Sequence, residues 1–228
     1  MPTVLLFDID GTLVSTGGAG RRAMVGAVAK LYGKNDAFEG LSFAGMTDRA
    51  IARHALTASG VTVTHEEVER MLDSYLELLE AELASATAYR VLPGVQALLD
   101  ALASLSDFAI GLGTGNVKRG AYAKLARGSI DERFAFGGFG CDAEDRIELL
   151  RAGARRGAEL LGRAVSECRV IVIGDTPKDV AAAKGIGAPC VGVATGGYTT
   201  EVLMTCGAHS VFQDLAADGV LDVLRGDV

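Results

Sequence analysis

Two carboxylates stand two residues apart in Phe7-Asp8-Ile9-Asp10-Gly11-Thr12, directly after an apolar run that begins at Val4. Acids so placed come off the end of a buried strand, where parallel sheets present their ligand-binding edge. A lone pair of this kind also reads as a strand-to-loop turn whose Asp caps the next element. Three further segments bear on that choice. Phe108-Ala-Ile-Gly-Leu-Gly113 runs into Thr114-Gly115-Asn116, and Val170-Ile-Val-Ile173 runs into Gly174-Asp175-Thr176-Pro177-Lys178-Asp179. The apolar stretch Phe134–Phe139 is followed by an acidic patch and then by Arg146. In one parallel sheet these strand ends share an edge, so groups far apart in sequence converge. They would gather a nucleophilic carboxylate, a hydroxyl beside free backbone amides, a cation and a second pair of acids. Such a set suits phosphoryl transfer. Phosphate oxygens need donors and positive charge around them, and neighbouring carboxylates need a divalent cation to tolerate one another and the phosphate.

Those side chains require elements to hold them. Apolar runs without polar alternation, at Val4–Phe7, Phe108–Leu112, Phe134–Phe139, Val170–Ile173 and Cys190–Val193, predict strands covered on both faces. Between them, Val95, Leu98, Leu99 and Leu102 repeat at helical spacing, and Ile147, Leu150, Ala154 and Leu161 do so more loosely. Pro177 sits where a first helical residue belongs, with Thr176 or Asp175 as cap and Gly185 or Gly187 near the end. Alternating strands and helices predict an α/β fold with a doubly wound, Rossmann-like parallel sheet. Residues 15–89 break that rhythm with helical patterns and no convincing strand. Thr64-x-x-Glu67 reads as a capping box, opening a helix with Val68, Met71, Leu72, Tyr75, Leu79 and Leu83 on one side. Another helix is expected from Thr47 or Asp48 to Gly60. The expected division is a catalytic core of residues 1–14 and 90–228 with an all-helical domain, 15–89, inserted into it.

Composition narrows the class. A chain of 228 residues with 49% hydrophobic content buries a sizeable core, which excludes global disorder. Its formal charge of −7, with no basic run, lacks the footprint of a nucleic-acid binder. No apolar stretch approaches the ~18 residues that span a bilayer, and the N-terminus lacks the basic region of a signal peptide. Cys141, Cys168, Cys190 and Cys206 form no CxxC pair and are expected to be reduced, so a cytoplasmic protein is expected.

On the residues just quoted, the chain resembles the haloacid dehalogenase-like hydrolase superfamily. It is most similar to the phosphatase branch with a helical cap inserted after the first motif, the phosphoglycolate phosphatase-like group. The resemblance implies that Asp8 is a nucleophile forming an aspartyl-phosphate, and that Asp10 is the general acid/base while its backbone carbonyl binds metal. It further implies that Thr114 and the Gly115 amide hold phosphate oxygens, with Gly11 and Asn116 beside them. Asp175 would complete a Mg²⁺ site with Asp8 and Asp10, and Asp179 would support that site or the nearby cation. The implied reaction is Mg²⁺-dependent hydrolysis of a small phosphomonoester, phosphoglycolate-like or a sugar phosphate. A phosphomutase and a non-catalytic phospho-switch are the alternatives. The partner is a small soluble phosphoester rather than nucleic acid or membrane, and oligomeric state is not legible.

One motif departs from the family pattern. Gly140-Cys-Asp-Ala-Glu-Asp-Arg146 carries no Lys where the family places one. Arg146 is the expected substitute, permanently charged and able to fork onto phosphate; alternatively it pairs with Asp142 or Glu144, leaving Lys178 or Lys118 as the cation. Substrate choice is expected from the inserted domain, in Phe43-Ala-Gly45-Met46-Thr47-Asp48-Arg49, with Gly45 allowing a sharp approach and Thr47 or Asp48 capping a helix. Arg49 is poorly placed for that helix's dipole, which suggests another use, in contacting the leaving group. Gly18-Ala-Gly20 reads as a hinge rather than a dinucleotide loop, and the three histidines form no ligand set.

Overall fold

The structure is a computed structural model and describes residues 1–226. Its centre is a six-stranded parallel sheet. β1 (Thr3–Phe7) lies between β4 (Phe108–Gly113) and β6 (Arg169–Gly174). β5 (Phe136–Gly138) flanks β4, while β7 (Cys190–Val193) and β8 (Ser210–Phe212) extend the other side, giving the order β5-β4-β1-β6-β7-β8. The apolar run of β1 is uninterrupted because both its faces are covered. Leu5 and Phe7 enter one hydrophobic cluster with Leu112, Ile171 and Ile173, while Val4 and Leu6 enter another with Leu149, Leu150 and Val172. Helices α4 (Val95–Ala103), α5 (Lys118–Ala126), α6 (Arg146–Leu160), α7 (Pro177–Gly185), α8 (Thr200–Thr205) and α9 (Val220–Arg225) surround the sheet.

Register fixes where the chemistry emerges. Phe7 pairs with Leu112 on one side and with Ile173 on the other. Asp8, Thr114 and Asp175 therefore leave the sheet at one level, where the strand order changes direction. Crevices of this kind bind ligands in open α/β sheets.

The inserted helical cap consists of α1 (Ala19–Tyr32), α2 (Asp48–Ala58) and α3 (His65–Ser85). It has a hydrophobic cluster of its own, in which Ala23, Ala27 and Val28 of α1 meet Ile51 and Leu56 of α2 and Met71, Tyr75 and Leu79 of α3. The chain enters and leaves it through a two-stranded antiparallel ribbon, β2 (Val14–Ser15) and β3 (Arg90–Val91).

Several local expectations need revision. Thr64 does cap α3, accepting from the Glu67 amide at 3.2 Å, but the Glu67 carboxylate accepts instead from the Tyr32 hydroxyl at 2.7 Å. The full capping box forms elsewhere, at Thr176 and Asp179. The stretch 134–139 contributes only three strand residues, because Phe134 and Phe139 turn into the core at its ends. Gly18 is the left-handed N-cap of α1, with φ +82°, and Gly20 already lies inside the helix. All four cysteines are free thiols. Among the described residues no helix is long and apolar enough to cross a membrane.

Candidate active site

The Asp8 carboxylate is buried at the end of β1, only 5% exposed. Asp175, from the end of β6, is buried beside it, and the Thr12 hydroxyl donates to Asp175 Oδ1 at 3.1 Å. Gly11 has φ +85°, and a Cβ there would run into the Asp175 carboxylate, so this turn requires glycine. From the other side Gly196 presses on Asp175 in the same way, while Thr195 Oγ1 donates to the Gly11 carbonyl at 2.5 Å.

Arg146, the first residue of α6, lies with its guanidinium 3.2 Å from Asp8 Oδ1 and also bonded to Asp179 Oδ1. It does not pair with Asp142, which is engaged by Arg156 at 2.6 and 2.7 Å. Lys118 and Lys178 are both exposed. Asp179 is fully used, since its Oδ2 accepts from the Thr176 hydroxyl at 2.7 Å and the Thr176 amide at 3.0 Å. Burial opposes charge on Arg146, but Asp179 and Asp8 outweigh it and the guanidinium stays protonated.

The carboxylates carry more negative charge than the protein groups around them balance. Burial, against the pull of Arg146, pushes Asp8 up to about 6. Burial, reinforced by Asp8 and Asp179, pushes Asp175 up to about 8. Carboxylate oxygens of Asp8, Asp175 and Asp179 lie within 4.8 Å of one another. Three carboxylates share the single Arg146 guanidinium, and hard oxygen donors so short of positive charge suit Mg²⁺. With Asp179 committed to Arg146 and Thr176, the donors left for an ion are Asp8 and Asp175 together with the Asp10 segment.

Thr114 is completely buried at the end of β4. Its Oγ1 accepts from the Asn116 side-chain amide at 2.8 Å and from the Asn116 backbone N–H at 3.2 Å. Both interactions arrive at the oxygen, so the hydroxyl proton is left to donate elsewhere. Asn116, which lines the cavity, also supports the acidic pair: its Nδ2 donates to Asp10 Oδ2 at 2.9 Å. One residue was not anticipated at all. Lys124 of α5 is only 4% exposed and donates to Asp10 Oδ2 at 2.6 Å and to Asn116 Oδ1 at 2.5 Å. Burial opposes its charge, but Asp10, Tyr75 and Asp48 raise its pKa overall. A signal was present in the sequence: Lys124 shares the buried face of α5 with Gly120, Ala121 and Leu125. A lysine on an apolar helix face demands a partner.

The cap closes over these groups. Gly45, with φ +62°, lies against Thr176 and Lys178, where a Cβ would come within 2.8 Å of the Thr176 hydroxyl. Thr47 caps α2, accepting from the Ala50 amide at 3.2 Å. The Asp48 amide donates to the Gly115 carbonyl at 2.8 Å, and the Val117 amide donates to Asp48 Oδ2 at 2.8 Å. A cap-domain acid thus stands at the start of a core helix, since Val117 is the N-cap residue of α5. Gly115 must lack a side chain, because a Cβ would meet the Met46 carbonyl and Thr47 Cα. The expectation for Arg49 is corrected: its guanidinium pairs with Glu69 Oε1 at 2.5 Å and does not line the cavity. The cavity is about 300 Å³, and the cap lines it with Arg21, Met24, Phe43, Met46, Ile51 and Tyr75. Arg21 stacks 4.5 Å over the Phe43 ring and donates to the carbonyls of Leu41 and Phe38.

A parallel sheet with an acidic pair at its central strand end, a buried cation on that pair and a helical lid defines a class of hydrolases. The chain belongs to the haloacid dehalogenase-like hydrolases, whose family pattern it matches over residues 2–187, and it is a phosphatase-type enzyme of that family. Phosphoglycolate phosphatase of Rhodospirillum rubrum is 30% identical over 239 residues, covering 96% of this chain and 90% of that one. Among solved structures, CbbY of Rhodobacter sphaeroides, in complex with phosphate, superposes with a TM-score of 0.74 at 20% identity, covering 99% of this chain and all of that one. β-Phosphoglucomutase of Clostridium difficile gives 0.72 at 19% identity, covering 100% and 98%. At such identities these two structures attest the fold.

Proposed function

We propose that the chain is a Mg²⁺-dependent phosphatase that hydrolyses a small phosphomonoester through Asp8, with residues 15–89 as the cap. The observation that carries this reading is the burial of Asp8 between the Arg146 guanidinium and Asp175, at one level with Thr114. An Asp8 oxygen attacks phosphorus as the ester P–O bond breaks, and Asp10 gives a proton to the departing oxygen. Asp10 then takes a proton from the water that attacks the aspartyl-phosphate. The bond from phosphorus to Asp8 breaks, releasing inorganic phosphate and restoring both carboxyl groups. Thr114 donates its hydroxyl to a phosphoryl oxygen, with the Gly115 amide beside it. Arg146 offsets charge on Asp8 and the phosphoryl group, held in place by Asp179. Asp8, Asp175 and the Asp10 carbonyl would hold magnesium, which supplies positive charge between nucleophile and phosphate when bound.

The substrate side is small and mixed in character. The enclosed cavity excludes bulky polymers, and Arg21 offers the cap's positive charge to an anionic leaving group. The relative from Rhodospirillum rubrum makes phosphoglycolate the first candidate, and sugar phosphates the next, for an enzyme of the cytoplasm. Colorimetric phosphate release across a panel of small phosphoesters, with and without Mg²⁺, tests the reading. Turnover is expected only with the metal, and Asp8→Asn is expected to abolish it. Phosphoryl groups moved onto sugar, with no free phosphate, would replace the phosphatase by a mutase. Activity of Asp8→Asn within about tenfold of wild type, roughly 1.4 kcal/mol of barrier, would remove Asp8 from its role.

A further inference from the structure

Asp10 is the exposed member of the acidic pair, with 43% of its side chain open to solvent. A general acid must point one oxygen at the leaving group, and an exposed carboxylate rotates freely unless something grips the other. Lys124 provides that grip. Its Nζ and the Asn116 amide both donate to the same oxygen, Asp10 Oδ2, at 2.6 and 2.9 Å. The two donors are tied to each other, since Nζ also donates to Asn116 Oδ1 at 2.5 Å. Asn116 continues the chain to Thr114 Oγ1 at 2.8 Å. Behind the ammonium, the Tyr89 hydroxyl donates to the Lys124 carbonyl at 2.8 Å and pins the backbone of α5 at this point.

The geometry points to Lys124 as a positioning residue for the phosphoryl-transfer reaction, one that clamps Asp10 by Oδ2 and leaves Oδ1 free to face the leaving group. This rests on the phosphatase reading above. The chain therefore carries two buried cations with separate tasks, Arg146 on the Asp8 carboxylate and Lys124 on the Asp10 carboxylate. Removing Lys124 deprives Oδ2 of its charged donor and releases Asn116 Oδ1 at the same time, so the remaining donor loses its own anchor. The damage falls on proton delivery rather than on phosphate binding.

Leaving groups separate this role from a merely structural one, because an alkoxide needs the proton and a nitrophenolate hardly does. Steady-state phosphate release by wild type, Lys124→Met and Lys124→Gln is measured with 2-phosphoglycolate and with p-nitrophenyl phosphate. For Lys124→Met the expected fall in kcat is about 100-fold on the alkyl ester, the lower range of general acid catalysis. On the aryl ester it is expected to stay within about tenfold, with KM moving little on either. Lys124→Gln, which keeps a neutral donor, covers the case in which the Met variant fails to fold. Equal losses on both esters, or a change confined to KM, overturn the positioning role. A crystal structure of either folded variant decides the same point without turnover: the Asp10 carboxylate is expected to rotate away, and a carboxylate that stays in place overturns the inference. Wild-type protein inactive on every ester would overturn the phosphatase reading alone, and the crystal structure would still decide what Lys124 does.

Discussion

At the scale of single residues, the two guanidiniums named from the sequence have opposite fates. Arg146 is buried against Asp8 and Asp179, so its loss leaves two buried carboxylates without their cation. Arg146→Ala is expected to cut kcat/KM at least about 100-fold, a loss of roughly 2.7 kcal/mol in the transition state. Arg146→Lys is expected to restore part of it, since Lys supplies charge without the fork. A silent Arg146→Ala would place the working cation elsewhere. Arg49 instead spans to Glu69 on α3, an ion pair half-open to solvent and away from the cavity. Arg49→Ala should leave substrate preference unchanged, whereas Arg21→Ala should raise KM for a carboxylate-bearing ester more than for p-nitrophenyl phosphate. The dipole argument could not supply the partner of Arg49, Glu69, which lies on another helix. Lys124 escaped for the same reason: its acceptors come from the β1 and β4 ends, and only the fold brings them to α5.

At the scale of elements, α2 is joined to α5 through one carboxylate. Burial, only partly relieved by Lys124 and the Val117 amide, pushes Asp48 up to about 6, with Asp10 adding to the rise. Between the ordinary value of 3.8 and about 6, the native state holds a proton that the unfolded chain has released. Stability from this group therefore falls as pH rises through that window and stays low above it. Asp48→Asn keeps an acceptor for Val117 without the charge, so its melting temperature should exceed wild type at pH 8 and match it near pH 4. The gain is bounded at roughly 3 kcal/mol, from 1.36 kcal/mol per unit. A variant less stable than wild type at pH 8 would show that the charge is needed against Lys124. Much at this scale was legible: β1, β4, β5, β6 and β7, with α2, α3 and the Pro177 start of α7, follow from apolar runs, periodicity and capping. β8 and the β2–β3 ribbon were not, because their two or three residues belong to no longer apolar run and are strands only through their partners.

At the scale of the whole molecule, burying three acids, Asp8, Asp175 and Asp179, around one sheet edge costs stability that a divalent ion would return. Adding Mg²⁺ at about 100 times its Kd should stabilise the fold by about 2.7 kcal/mol, or about 5–10 °C in melting temperature for a chain of this length. Asp175→Asn should abolish the shift. An equal shift in that variant would put the ion elsewhere. The parallel topology that converges these acids was readable from uninterrupted apolar runs, whereas the closed seat of the cap on Gly115 was not, since no local pattern encodes one domain's backbone lying on another's. The ribbon at the junction has its own consequence. Val14 stands opposite Val91 and Ser15 opposite Arg90, so the helical insertion departs and returns through adjacent rungs, and no residue of α1, α2 or α3 enters the core clusters around the sheet. The lid is thus a graftable module. Helices from a relative, spliced at these two rungs and keeping an acid at position 48 for Gly115 and Val117, are expected to change the order of kcat/KM across the phosphoester panel without abolishing turnover.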